Sequence, residues 1–145
     1  MKRATLSYIA FLILGISSVL GQSGSFRLSD RVIRQGQVFR TTGIHFSFAQ
    51  CKLVDRAPVF LDSLLIFLKE RPKVEIMIFR REFSSAEMSA HYHNCRCDQM
   101  KQYLISRGIE EFRLKTEGIT EVIQDGAEVD IQKNTYTEII ITKDG

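Results

Sequence analysis

The segment from Ala90 to Gly108 limits the possible folds most, because it has the pattern of a complete amphipathic helix. Cys97, Met100 and Leu104 recur at the spacing of one buried helical face. Polar and charged residues fill the positions between them. We therefore predict a helix that packs one apolar face against a hydrophobic core.

Sequence signals for both ends of this helix stand on either side of it. Ser84-Ser85-Ala86-Glu87 offers a capping box, in which the Ser84 hydroxyl bonds to the backbone and Glu87 reaches back. Gly108 supplies the left-handed residue that ends many helices, and Arg107 suits the negative end of the helix dipole. Both ends are therefore predicted from local sequence.

Residues 1–21 have the pattern of a secretory signal peptide. Two basic residues precede an apolar run from Tyr8 to Leu14, and Val19 and Gly21 fit the −3 and −1 positions of a signal-peptidase site. The run is too short for a transmembrane anchor, although an uncleaved anchor is the alternative interpretation. We expect an exported mature chain with no transmembrane segment.

Removal of residues 1–21 would leave a nearly neutral chain. The formal charge falls from +3 to +1, because this segment holds Lys2 and Arg3 and no acid. Such a charge gives no electrostatic steering toward nucleic acid, so we expect no nucleic-acid partner. The roughly 120 residues that remain suit one compact domain with one core.

The mature chain divides into a lead-in and one α+β domain. Residues 22–42 are interpreted as a linker with a small hairpin between Val32-Ile33 and Val38-Phe39. In order, the predicted elements of residues 43–145 are a strand Ile44–Phe48, a helix Asp55–Pro72 capped by Asp55, a strand Val74–Phe79, the helix described above, a strand Phe112–Lys115, an acidic excursion Glu117–Gln132 and a strand Thr137–Thr142. This order predicts two helices on one face of a mixed sheet, with the strands around the first helix as parallel neighbours.

Several of these stretches carry a resemblance to a known family. They are Ile44–Phe48, Leu61–Leu64, Phe67–Ile76, Tyr103–Ile109, Arg113-Leu114, and Asn134 with Glu138-Ile139. Together they resemble the OmpA-like (peptidoglycan-associated) domain of Gram-negative cell envelopes, from Gly43 to Lys143. The resemblance implies a βαβαβ-type mixed sheet, a periplasmic or outer-membrane location, and noncovalent binding of peptidoglycan or of envelope proteins. It implies neither catalysis nor a cofactor.

The resemblance also implies a binding site, with one departure from the family pattern. The family's ligand is diaminopimelate, whose side chain carries a carboxylate and an ammonium. Arg96 matches the family's arginine, whereas Arg81, at the end of a predicted turn Ile78-Phe79-Arg80-Arg81, occupies the place of the family's aspartate. Glu82 replaces the lost acid if the turn shifts by one residue, and Ser89 stands where the family has asparagine. We expect weak or altered binding, because an arginine repels the ammonium.

Two other uses of these residues stay open. Arg80, Arg81 and Arg96 would make a cationic cluster suited to phosphate or carboxylate, or simply a turn with solvated charges. Met77 and Phe79 make the second face of their strand more apolar than a solvated face needs, which indicates a covered sheet, a partner or packing at the sheet's edge. A protein-interaction domain that has lost peptidoglycan binding is therefore the alternative function.

The three cysteines raise a separate question. In the family's fold the loop that carries Cys51 borders the start of the second helix, so the resemblance implies a disulfide between Cys51 and Cys95. Cys97 falls on the apolar face of that helix and is predicted to be a small buried residue. His91 and Cys95 lie one helical turn apart, and metal binding by this pair is the less favoured alternative.

Overall fold

A computed structural model of the protein describes residues 24–47, 50–84, 89–123 and 130–145. The predicted signal peptide, Phe48 and the Ser85–Glu87 part of the predicted capping box lie outside these ranges. They stay predictions.

Three short strands begin the described chain, and helices and strands alternate after them. In order they are β1 Val38–Thr41, β2 His45–Phe46, β3 Leu53–Val54, α1 Ala57–Lys69, β4 Glu75–Ser84, α2 Ser89–Ile105, a 3₁₀ turn Glu111–Arg113, β5 Leu114–Val122, α3 Ile131–Asn134 and β6 Tyr136–Lys143. The order of strands in the main sheet is β1-β6-β4-β5.

The strand β4 lies inside this sheet between a parallel and an antiparallel neighbour. Ile76 of β4 lies opposite Leu114 of the parallel β5, and Ile78 lies opposite Ile139 of the antiparallel β6. The helix α2 connects β4 to β5, as a parallel pair requires. The predicted parallel pairing around α1 is wrong, because the short strand β3 before α1 pairs instead with β2 in a separate two-stranded ribbon.

The two long helices, α1 and α2, cover the same face of the sheet, which confirms the predicted α+β fold class. The apolar stripe of α1 is buried as predicted and consists of Ala57, Leu61, Leu64 and Leu68. The buried stripe of α2 consists of Cys97, Met100 and Leu104. These two stripes belong to one hydrophobic core with Ile76, Ile78 and Ile139 of the sheet. Gly108 follows α2 with a φ of 99°, the left-handed conformation predicted for it.

The start of α1 differs from the prediction. Asp55 does not cap this helix: its φ is 57°, and the N-cap residue is Arg56, which makes no side-chain cap bond. Pro58 lies in the first turn as predicted, where its missing N–H leaves no helical bond unmade.

The lead-in hairpin predicted within residues 22–42 does not form. Val38–Thr41 pairs with β6 at the other end of the chain, and Val32 is 75% exposed outside any described strand. Phe26 is buried, with its ring centroid 5.7 Å from that of Phe67. This segment therefore contributes both a strand and a core residue to the domain.

Two strands run further than predicted. The strand β4 continues five residues past Phe79 to Ser84, and β5 continues to Val122, well into the predicted excursion. Phe112 and Arg113 lie in the 3₁₀ turn instead of a strand. The charged residues of these extensions break the apolar alternation by which a strand is predicted from sequence. They fit into the strands because their polar groups find partners on other elements.

Candidate functional site

The extension of β4 carries the predicted site residues. Successive side chains of a strand point to opposite faces, so Arg80 and Glu82 face the helices while Arg81 faces the opposite side of the sheet. Arg80 is 4% exposed and Glu82 is 6% exposed. The turn predicted at Ile78 to Arg81 is absent, because these residues lie within β4. Arg81 therefore lies on the opposite face of the sheet from Glu82.

Arg96, in the first half of α2, reaches across to Glu82. Its Nη1 donates to both carboxylate oxygens of Glu82 at 2.9 Å, and its Nε donates to the carbonyl oxygen of Gln50 at 3.2 Å. The guanidinium also lies 5.3 Å from the centroid of the Phe46 ring and 5.5 Å from that of Tyr92. An acid therefore does lie beside the arginine that matches the family's.

Arg80 completes what we call the Arg80–Glu82–Arg96 cluster. Its Nε donates to Glu82, and its Nη1 donates to the Thr137 hydroxyl at 2.9 Å and to the Ile44 carbonyl at 3.3 Å. The sequence did not predict these partners of the arginines. Three of the hydrogen bonds from the cluster end on backbone carbonyl oxygens or on a threonine, all distant in the chain. One carboxylate against two guanidiniums leaves the cluster with a net positive charge.

The charges of the cluster are coupled. Burial alone raises the pKa of the Glu82 carboxyl, but the charge of Arg80 and hydrogen bonds from Arg80 and Arg96 outweigh it and hold that pKa below its usual value. Burial also lowers the pKa of Arg80, which the charge of Glu82 opposes. Glu82 is therefore ionised at neutral pH, and an arginine stays protonated in proteins.

Arg81 and Ser89 take no described part in this cluster. Arg81 pairs with Glu121 of β5 and lies 5.2 Å from the centroid of the Phe83 ring. Ser89 is the first residue of α2, and its side chain lies outside what the structure describes. Of the predicted ligand-binding residues, the structure brings together Arg80, Glu82 and Arg96.

A cavity of about 390 Å³ opens beside Arg80. Its wall is formed by Thr42, Gly43, Ile44, His45, Arg80, Ile131 and Thr135. The buried hydroxyl of Thr135 has no hydrogen-bond partner among the described residues. The charged cluster therefore adjoins a space for a small ligand.

The cysteines pair as the resemblance implied. Cys51 and Cys95 form a disulfide with their Cα atoms 5.9 Å apart, which joins the loop between β2 and β3 to α2 beside Arg96. Cys97 is a free, buried thiol, and burial raises its pKa to about 12, so it is not a reactive thiolate. The disulfide also removes Cys95 as a metal ligand, and no group of three or more metal-binding side chains occurs in the described ranges.

Comparison with known proteins gives likenesses of structure. No family model matches the chain, and no curated protein matches it significantly. The periplasmic domain of Helicobacter pylori MotB (residues 78–256) matches with a TM-score of 0.60 at 13% identity, over 78% of this chain and 80% of that one. A putative MotB-like protein from Desulfovibrio vulgaris matches with a TM-score of 0.55 at 20% identity, over 72% and 73%. The chain has the OmpA-like fold.

A third structure extends this OmpA-like set. The cell wall anchor of the type VI secretion system from Pseudomonas aeruginosa matches with a TM-score of 0.54 at 14% identity, over 72% of this chain and 78% of that one. At such identities the likeness establishes the fold. Among the helices that the structure describes in this OmpA-like chain, none is long and apolar enough to cross a membrane.

Proposed function

We propose that the protein is a noncatalytic module of the Gram-negative cell envelope that binds the peptide stem of peptidoglycan. The observation that carries this proposal is the contact of Arg96 with Glu82, since it unites the family-matched arginine with an acid inside the OmpA-like fold. The fold's likeness to a cell wall anchor supports it.

The arginines supply the chemistry for a ligand carboxylate. A guanidinium can bind a carboxylate through two parallel hydrogen bonds, which a lysine cannot do. Arg96 presents its charge at a partly open position, with 17% of its side chain exposed, whereas Arg80 is held from behind by Thr137 and Ile44. A stem carboxylate would therefore find the Arg80 guanidinium in the cavity wall and the more open Arg96 guanidinium on the other side of Glu82.

Glu82 makes this binding weak in our proposal. Its carboxylate already accepts hydrogen bonds from both arginines, so a ligand carboxylate has to share or displace those donors. The wild-type protein should therefore bind stem peptide less tightly than a site whose arginine is unengaged.

Export to the periplasm or outer membrane is part of the same proposal. The signal-peptide pattern of residues 1–21 and the disulfide between Cys51 and Cys95 both fit an oxidising compartment outside the cytosol.

Retention on purified peptidoglycan sacculi tests the proposal. The mature chain should sediment with sacculi, and Arg96→Ala should lose most of that retention. Arg107→Ala is the matched control, because Arg107 is an exposed arginine just past the other end of α2. Equal retention of the two variants would place the binding surface elsewhere, and no retention of the wild type would remove peptidoglycan as the ligand.

The face of the sheet opposite α1 and α2 supports a second candidate, a protein-interaction domain. Met77 and Phe79 lie on the face opposite the helices and are only partly buried. Phe79→Asp should then abolish capture of envelope proteins while leaving retention on sacculi unchanged. Loss of sacculi binding by the same variant would argue against two separate surfaces.

A further inference from the structure

The charge of the Arg80–Glu82–Arg96 cluster favours an anionic ligand. Two guanidiniums face one carboxylate, and side-chain exposures of 5% for Arg80 and 7% for Glu82 show that solvent screens them little. The neighbouring cavity of about 390 Å³ lies at the small end of ordinary ligand pockets. The site therefore suits a small group with a negative charge.

The same cluster holds no acid ready for a cation. Arg80 and Arg96 bind the carboxylate of Glu82 from two directions, and Arg96 engages both of its oxygens. The described residues in the cavity wall carry no carboxylate. An ammonium entering this space would meet the guanidinium of Arg80 in the wall, and Glu82 could receive it only by giving up bonds to its arginines.

We propose that this site selects a carboxylate whose neighbouring nitrogen is acylated and rejects the same carboxylate beside a free ammonium. The proposal rests on the proposed function and names the form of the stem peptide that binds. In a cross-linked diaminopimelate stem, the side-chain amine has become an amide, while the carboxylate beside it stays free. The module therefore recognises cross-linked peptidoglycan in preference to uncross-linked stems.

The physical reason is the sign of the charges that meet in the site. Like charges a few ångströms apart repel strongly where water is partly excluded. An amide nitrogen is neutral and leaves the attraction between carboxylate and guanidinium unopposed. A preference of at least about tenfold follows if even a small part of the repulsion persists.

Two stem tripeptides that differ only in acetylation of the diaminopimelate side-chain amine test this selectivity. Calorimetric titration of the disulfide-bonded mature chain should give at least about tenfold tighter binding of the acetylated peptide. Arg96→Ala should weaken that binding. Equal affinities, or tighter binding of the free amine, would overturn the proposal.

A designed acid at the cavity rim sharpens the test. Thr42 is exposed and lines the cavity, so Thr42→Asp should supply the missing partner for an ammonium and shrink the preference for the acetylated peptide severalfold. Gln102→Asp adds the same charge at an exposed position on α2 and should leave the preference unchanged. Equal shifts in both variants would mean that overall charge, and not the cavity, sets the selectivity.

The outcomes separate the two proposals. Binding of both peptides without preference, together with retention on sacculi, would overturn the selectivity alone. Failure of both peptides to bind, together with no retention on sacculi, would overturn the proposed function and the selectivity with it.

Discussion

Two adjacent arginines of β4 differ in almost every respect. Arg80 points toward the helices, is 4% exposed and bonds to Glu82, Thr137 and the Ile44 carbonyl. Arg81 points to the open face, has 33% of its side chain exposed and pairs with Glu121 of β5. The two-residue period of a strand assigns one arginine to a buried charged cluster and the other to a surface ion pair. Register, more than residue type, therefore decides which charges belong to the candidate site.

The largest expected loss of stability comes from removing the charge of Glu82 in the Arg80–Glu82–Arg96 cluster. Glu82→Gln should lower the free energy of unfolding by about 3–5 kcal/mol, because it leaves buried guanidiniums without their counter-charge. Chemical denaturation measures the loss. Glu121→Gln, which removes the partner of Arg81 on the open face, is the matched control and should lose only a small fraction of that stability. Similar losses in the two variants would contradict the difference between the faces.

Loss of the disulfide should have the second largest effect on the free energy of unfolding. Replacing Cys51 and Cys95 by serine should cost about 2–4 kcal/mol, since the bridge closes a loop of 44 residues in the unfolded chain. The carbonyl oxygen of Gln50, next to Cys51, accepts a hydrogen bond from Arg96. The same change should therefore also perturb the Arg80–Glu82–Arg96 cluster. Denaturation of the double variant beside the oxidised wild type checks the stability, and an unchanged midpoint would contradict the expected constraint.

The pH dependence of stability should differ between wild type and Glu82→Gln. The folded pKa of Glu82 is depressed, so its contribution is present above its unfolded value of about 4.3 and is lost as the pH falls through the folded pKa. The gap in unfolding free energy should therefore be full near pH 7 and shrink below about pH 4. A gap that widened on acidification would mean that Glu82 is protonated in the folded protein.

Arg81 should show the smallest effect. Arg81→Ala should change stability far less than Glu82→Gln and leave the binding of stem peptide unchanged, because Arg81 faces away from the cluster. The replacement Arg81→Asp cannot restore the family's acid beside Arg96 for the same reason. Titration of stem peptide against Arg81→Ala and wild type checks both statements, and a large loss of affinity would return Arg81 to the site.

The sequence predicted those parts of the fold that depend on periodic apolar residues. The stripes of α1 and α2 and the strand β6 appear as predicted, because one buried face of each repeats every three to four residues or every two. The disulfide followed from the family's topology. The helices and the strand can be predicted from local sequence alone. Only the disulfide requires knowing that the loop with Cys51 lies beside α2.

The site itself depends on contacts that no local pattern contains. Arg80 and Glu82 interrupt the apolar alternation of β4 on its inner face, so the predicted strand ended at Phe79. Glu82 was expected beside Arg96 only if a predicted turn shifted by one residue. Their burial is stabilised by Arg96, Thr137 and Ile44, which lie 14 to 57 residues away in the chain. Val38-Phe39 of β1 was predicted as a strand with the wrong partner for the same reason, since its true partner β6 lies about a hundred residues away.

Side-chain NMR of the arginines during titration with an acetylated diaminopimelate stem peptide tests the central claim most directly. If the inner cluster binds the stem carboxylate, the Nε–H resonances of Arg80 and Arg96 shift with a common saturation curve while that of Arg81 stays in place. A saturable shift of Arg81, with Arg80 and Arg96 unmoved, would show that the peptide binds the open face of the sheet and would contradict the assignment of the site to the Arg80–Glu82–Arg96 cluster.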